Sequence, residues 1–183
     1  MSSISIINQY IKDLSIELPH SPQIFLKQYG KPNINISIDI DAKKLINDEN
    51  KEEDKKIFEV ILKISAEATI ASESKDNSKK EEKLFILEIS YAGLFQINEE
   101  NSEIIEQILL IYCPNLLFPF LRRIASNAVG DAGLPPLMLE PIDFNDLYNR
   151  RVKQNKEENV NCIPRDSVYH PRRGKRDLRG LRH

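Results

Sequence analysis

The chain has 183 residues, with 26 Lys+Arg against 28 Asp+Glu, two cysteines and no tryptophan. That length suits one domain with a proper core, and cysteines as far apart as Cys113 and Cys162 argue against a disulfide scaffold. The net charge of −2 conceals a split: residues 1–149 carry −9 and residues 150–183 carry +7, so an acidic body and a basic tail address different partners.

The opening MSSISIINQYIKDL has no basic head followed by a long apolar run, so no secretory signal is expected. No uncharged apolar run reaches the roughly 20 residues of a membrane helix. The best candidate, residues 108–121, contains Pro114 and Pro119. A soluble cytoplasmic protein without membrane insertion is expected.

Residues 1–8 read as a flexible lead-in. From Tyr10 the period is two: Tyr10, Leu14, Ile16 and Leu18 share one face, with Lys12 breaking it, and Asp13, Ser15 and Glu17 share the other. Pro19 and Pro22 end this first strand, because proline cannot donate to a ladder. The second strand alternates most cleanly, Ile34, Ile36, Ile38 and Ile40 against Asn33, Asn35, Ser37, Asp39 and Asp41. Residues 42–55 are highly charged and read as a loop.

The third strand, about 57–70, sets Phe58, Val60, Leu62, Ile64, Ala66, Ala68 and Ile70 against Glu59, Lys63, Ser65, Glu67 and Thr69. A charged connection, SESKDNSKKEEK, reads as an exposed hairpin tip. The fourth strand places Phe85, Leu87, Ile89 and Tyr91 opposite Ile86, Glu88 and Ser90. Four such strands indicate an antiparallel sheet with one dry and one wet face. The wet face gathers Asp13, Glu17, Asp39, Asp41, Glu59, Glu67 and Glu88, which reads either as plain solvation or as a dock for a basic partner.

Helical spacing follows Asn98. Ile104, Ile108 and Ile111 form one stripe, and Leu117, Leu121, Ile124 and Ala128 continue it after Pro114. Pro119 must begin a new helix or kink a continuous one, and Gly130 and Gly133 are natural stops. The prolines of GLPPLMLEPI preclude a helix, yet Leu134, Leu137, Met138 and Leu139 are apolar and must cover a groove, a partner or a client. Asp143 resembles an N-cap for a short last helix bearing Phe144, Leu147 and Tyr148. From about Arg150 the composition is that of a basic, disordered tail.

No cofactor, metal or catalytic signature is present. The six glycines are scattered, neither cysteine has a CxxC partner, and His20, His170 and His183 stand alone. Cys113 reads as a buried packing residue. A non-enzyme is expected.

Separated motifs in a fixed order then carry a family resemblance. YIKDLSIELPHSP, FEVILKISAEATI, LFILEISYAGLF, YCPNLLFPFLRR and GLPPLMLEPIDFNDLY, spanning about Gln9 to Tyr148, resemble the bacterial protein-export chaperone SecB. The resemblance implies an α+β subunit: a four-stranded antiparallel sheet, a long Pro-interrupted helix and a short C-terminal helix, assembled as a homotetrameric dimer of dimers. It implies a chaperone domain over 9–149 and an ATP-independent holdase. Such a holdase binds unfolded preproteins and passes them to the motor SecA, whose small zinc-bearing tail is basic.

By motif, Asp13, Glu17, Glu88 and the adjacent Ile86 correspond to the SecA-docking positions. The candidate client surface is Phe85, Leu87, Ile89 and Tyr91 with Leu134, Leu137, Met138 and Phe144; for Phe85 and Leu87, core packing and client groove stand as equal readings. Three departures from the family matter: a longer, more charged hairpin tip, Ala92-Gly93 where a glycine pair is common in the fourth strand, and a strongly basic tail where relatives are often acidic or polar. Nucleic acid is not expected as a partner, although the tail keeps contact with RNA open. The alternative to export is a SecB-like peptide-binding module serving another partner, such as a toxin–antitoxin system.

Overall fold

The four alternating stretches become one antiparallel sheet in the computed structural model, which describes residues 3–26, 28–45, 56–73 and 79–161. The strands are β1 (Ser3–Glu17), β2 (Asn33–Leu45), β3 (Lys56–Glu73) and β4 (Lys79–Asn98), in the spatial order β1-β4-β3-β2. The segment joining β1 to β2 therefore crosses from one edge of the sheet to the other. A 3-10 turn, Gln23–Leu26, anchors this crossing by burying Ile24 in the core.

Each strand outruns its alternation. β1 begins at Ser3, so most of the stretch read as a flexible lead-in is paired, Ser3 lying opposite Asn98. β2 continues to Leu45, and residues 46–55 lie outside the described ones. β3 and β4 run into the charged connection until Glu73 faces Lys79, with 74–78 outside the described residues. The physical reason is common to all three. A paired neighbour satisfies backbone N–H and C=O groups whatever the side chain, so polar residues beside an existing strand extend its ladder.

β1 also breaks register twice. Ile7 and Lys12 are each extra residues against β4, which makes them β-bulges. Each bulge inverts the faces beyond it. Tyr10, opposite Ala92, consequently lies on the face away from Leu14 and Ile16, which sit opposite Ile89 and Leu87. The grouping of Tyr10 with Leu14 and Ile16 is thereby corrected.

The helical part is continuous. Asn101 caps α1 (Ser102–Gln107) by accepting the Glu103 N–H at 2.9 Å. A π-helical turn, Ile108–Tyr112, leads into α2 (Cys113–Asp131). Pro114 does not interrupt. It sits in the first turn of α2, where a missing N–H is tolerated, and the wider π turn lies just ahead of its ring. Pro119 is inside α2. The resulting helix, Ser102–Asp131, has 30 residues and is long and apolar enough to cross a membrane, a test that core helices of soluble proteins also pass.

One stripe of α2 is committed to the sheet: Leu117, Leu121, Ala125 and Val129 are fully buried. Gly93 of β4 permits that approach. A Cβ there would lie 2.6 Å from the Phe95 ring and 2.9 Å from Leu117 Cδ2. Gly133, at φ 83°, ends α2, with its N–H on the Gly130 carbonyl and that of Leu134 on Val129. Asp143 then caps α3 (Phe144–Asn161), its Oδ1 accepting from Asn145 and Asp146 at 2.9 and 3.1 Å. At 18 residues α3 is shorter than the continuous 30-residue helix before it, yet it passes residue 150, where the tail was expected to begin. Residues 162–183 lie outside the described residues. The chain divides into two units, 1–148 and 149–183.

Candidate functional site

Period-two alternation and the strand register together sort the side chains into an inner face, covered by α2, and an outer face. On the outer face the register builds cross-strand rows. Glu17, Ile86, Glu67 and Asn35 form one; Ser15, Glu88, Ser65 and Ser37 the next; Asp13, Ser90, Lys63 and Asp39 the third. The four positions expected to dock a motor thus meet on two hydrogen-bonded strands. Asp13, Glu17 and Glu88 are exposed and Ile86 is half-buried beside them. Asp13, Asp39 and Glu88 also line a depression together with Lys63. Lys63 lies 3.9 Å from Asp41, and Lys83 pairs with Glu67 at 3.2 Å. Exposed pairs of this kind are worth little in stability, and the acids predominate around them.

The seven acids read as one wet face do share the outer face, but Glu59 is not solvated. It is 4% exposed. Its Oε1 accepts from the Tyr10 hydroxyl and from Lys12 Nζ at 2.7 Å, and Lys43 Nζ lies 2.9 Å from Oε2. Burial alone would push this carboxyl up. The hydrogen bonds from Lys12, Tyr10 and Lys43 and the Lys12 charge outweigh it and hold the group at about 2. The Tyr10 hydroxyl, through its bond to Glu59, its burial and the Glu59 charge, is raised to about 12. The sequence carried one signal of this cluster: a lysine at position 12, interrupting an otherwise regular alternation.

The expected client residues fall differently. Phe85, Leu87, Ile89 and Tyr91 are on the inner face and 0 to 7% exposed. Leu134 and Leu137 fold back onto the core, and Phe144 packs edge-to-face on Phe118 at 6.0 Å. In the single chain these seven are interior, because α2 and the loop after it supply the apolar partner that β4 needs. Of the eight, only Met138 is exposed, at 64%. Sequence reasoning passed over Phe25 and Leu26, which are 48% and 85% exposed on the crossing between β1 and β2. The Phe25 ring lies against Gly133, so the crossing reaches the start of the loop that carries Met138. Other exposed apolar residues lie on the edge strand β1 (Ile6, Ile7, Ile11, Leu14), on β2 (Ile34, Ile36) and on the helix (Tyr112, Phe120). Cys113 is buried, and burial raises its thiol to about 12. Among the described residues no group of His, Cys, Asp and Glu could hold a metal ion.

Comparison with known proteins identifies the family. The family model for SecB, preprotein translocase subunit SecB, matches residues 1–155. The protein-export protein SecB of Granulibacter bethesdensis is 41% identical over 83% of this chain and 84% of its own. That of Parvibaculum lavamentivorans is 39% identical over 82% and 80%. A solved SecB-like chaperone of Mycobacterium tuberculosis, in complex with an antitoxin peptide, overlaps at a TM-score of 0.48 and 16% identity, covering 76% of this chain and 88% of that one. The chain belongs to the SecB family.

Proposed function

We propose that the chain is an ATP-independent holdase for protein export, which binds unfolded precursors and hands them to the motor SecA. Family membership supports the chaperone role. The observation that favours export is the outer-face patch, in which Glu17 lies opposite Ile86, Glu88 stands in the next row and Asp13 in the row after it. Three carboxylates in successive rows, with one half-buried apolar side chain at their end, fit a small basic partner with an apolar contact. Opposite charge would also speed its encounter.

Clients need apolar surface that is reachable without unfolding the chaperone. Phe25, Leu26 and Met138 meet that requirement in the single chain, and we assign them the first contact. Leu134, Leu137 and Phe144, with Phe85, Leu87, Ile89 and Tyr91, are buried in the core of the single chain. Many weak contacts of this kind give avidity without sequence preference. We further propose the dimer of dimers that the family resemblance implies. Its support is the exposed apolar set on edge strand β1 and on the helix, since edge strands are ready templates for pairing.

The test titrates the purified protein, without nucleotide, into a chemically unfolded polypeptide, into the same polypeptide folded, and into SecA. Binding at micromolar strength or better to the unfolded form alone is expected, with SecA binding lost in Asp13→Lys and Glu88→Lys. No binding to the unfolded form sinks the holdase. Client binding without SecA binding replaces export by a SecB-like module for another partner.

A further inference from the structure

Lys12 interrupts the alternation of β1, and the backbone treats it as an insertion. Ile11 lies opposite Tyr91 and Asp13 opposite Ser90, consecutive residues of β4, which leaves Lys12 unmatched in the ladder. The bulge decides where the acids point. Faces alternate with period two, so if Lys12 were paired with Ser90 instead of bulged, Asp13 would lie opposite Ile89 and Glu17 opposite Phe85, both buried on the inner face.

Two influences can hold this register. The first is the apolar pattern, which draws Leu14 and Ile16 inward. Its grip is loose, because β1 is an edge strand, Leu14 stays 40% exposed and Ile16 is half-buried. The second is Glu59. Tyr10, just before the bulge, and Lys12, the bulged residue, both donate to its Oε1, while Lys43 of β2 flanks Oε2. Their acceptor is on β3, two strands from β1. Ala92 of the intervening β4, opposite Tyr10, is small enough for both side chains to pass over. One buried carboxylate therefore holds the bulged residue and the tyrosine two residues before it.

We propose that Glu59 is a positioning residue: it locks the β1 bulge at Lys12 and thereby presents Asp13 and Glu17 on the outer face to a basic partner. The presentation to a partner rests on the docking reading above, whereas the lock is a property of the chain alone.

The experiment compares the full-length protein with Glu59→Gln, which keeps shape and loses charge, and with the milder Lys12→Met and Lys12→Arg. Three quantities are read: affinity for SecA, affinity for an unfolded polypeptide, and amide hydrogen exchange along β1. In Glu59→Gln and Lys12→Met, SecA affinity is expected to fall about tenfold. Exchange from Ile11 to Glu17 should rise about tenfold while the β3 and β4 amides keep their protection. Client affinity should stay within about twofold, and Lys12→Arg, which retains the charge, should behave as the parent. Unchanged exchange in β1 overturns the lock, and so does a loss of protection spread evenly over the sheet. If the parent protein fails to bind SecA, the docking reading falls, and the exchange pattern alone decides the lock.

Discussion

Leu87 and Glu88 are consecutive in β4 and belong to different molecules in all but covalent terms. Leu87 is fully buried beneath α2; Glu88 stands exposed in the outer rows. The inner face is where the chain spends its apolar residues to hold itself together. The outer rows around Glu88 expose their charged side chains, which contribute little to folding. One strand serves both ends because its side chains alternate. The most damaging way to probe this division is to enter the inner face. Leu87→Ala leaves a cavity among packed neighbours and should cost about 2–5 kcal/mol, read from the urea midpoint at constant slope.

Gly93→Ala probes the same face from the opposite direction, by adding an atom. The new Cβ would meet Phe95 and Leu117, both fully buried and unable to retreat. Overpacking of this kind costs about 1–3 kcal/mol. If Gly93→Ala is instead neutral in urea unfolding, α2 is not held tightly against β4 and the dry face is softer than its burial implies.

The division into faces was legible for β2, β3 and most of β4, since strict alternation leaves no choice of side once one apolar run is assigned to the core. Asp143 and Gly133 were legible as well, each serving a backbone need that few residues meet. β1 was not. A bulge changes no composition, and its trace in the sequence is a single lysine out of phase. Glu59 was misread for a related reason. Counted strand by strand it is one acid among seven, and nothing local reveals that Tyr10, Lys12 and Lys43 converge on it. For the expected client residues, alternation identified the inner face of β4 correctly. It could not say whether a helix of the same chain covers that face, and α2 does.

Glu59 sharpens the comparison, a charged outer-face residue buried like an inner one. Its carboxyl is held at about 2 against an ordinary value of 4.5. A depressed acid stabilises the fold above its unfolded value and loses that contribution as pH falls through the folded one. The loss should therefore develop between about pH 4.5 and 2. Glu59→Gln should lower stability at neutral pH by about 1–3 kcal/mol and flatten the decline across that window. Equal acid slopes for the two proteins would mean that the ion pairs add nothing to the fold.

The smallest expected effect on folding is also the most informative about function. Glu88→Lys reverses a charge in the middle of the outer rows, one residue from Leu87. The side chain is exposed and its cross-strand neighbours are Ser15 and Ser65, so stability should move by no more than about 0.5 kcal/mol. Affinity for a basic partner should nevertheless fall, and fall most at low salt, where opposite charges attract over the longest range. A urea midpoint that shifts as far for Glu88→Lys as for Leu87→Ala would mean the two faces are not independent. Docking would then have to be measured against stability rather than beside it.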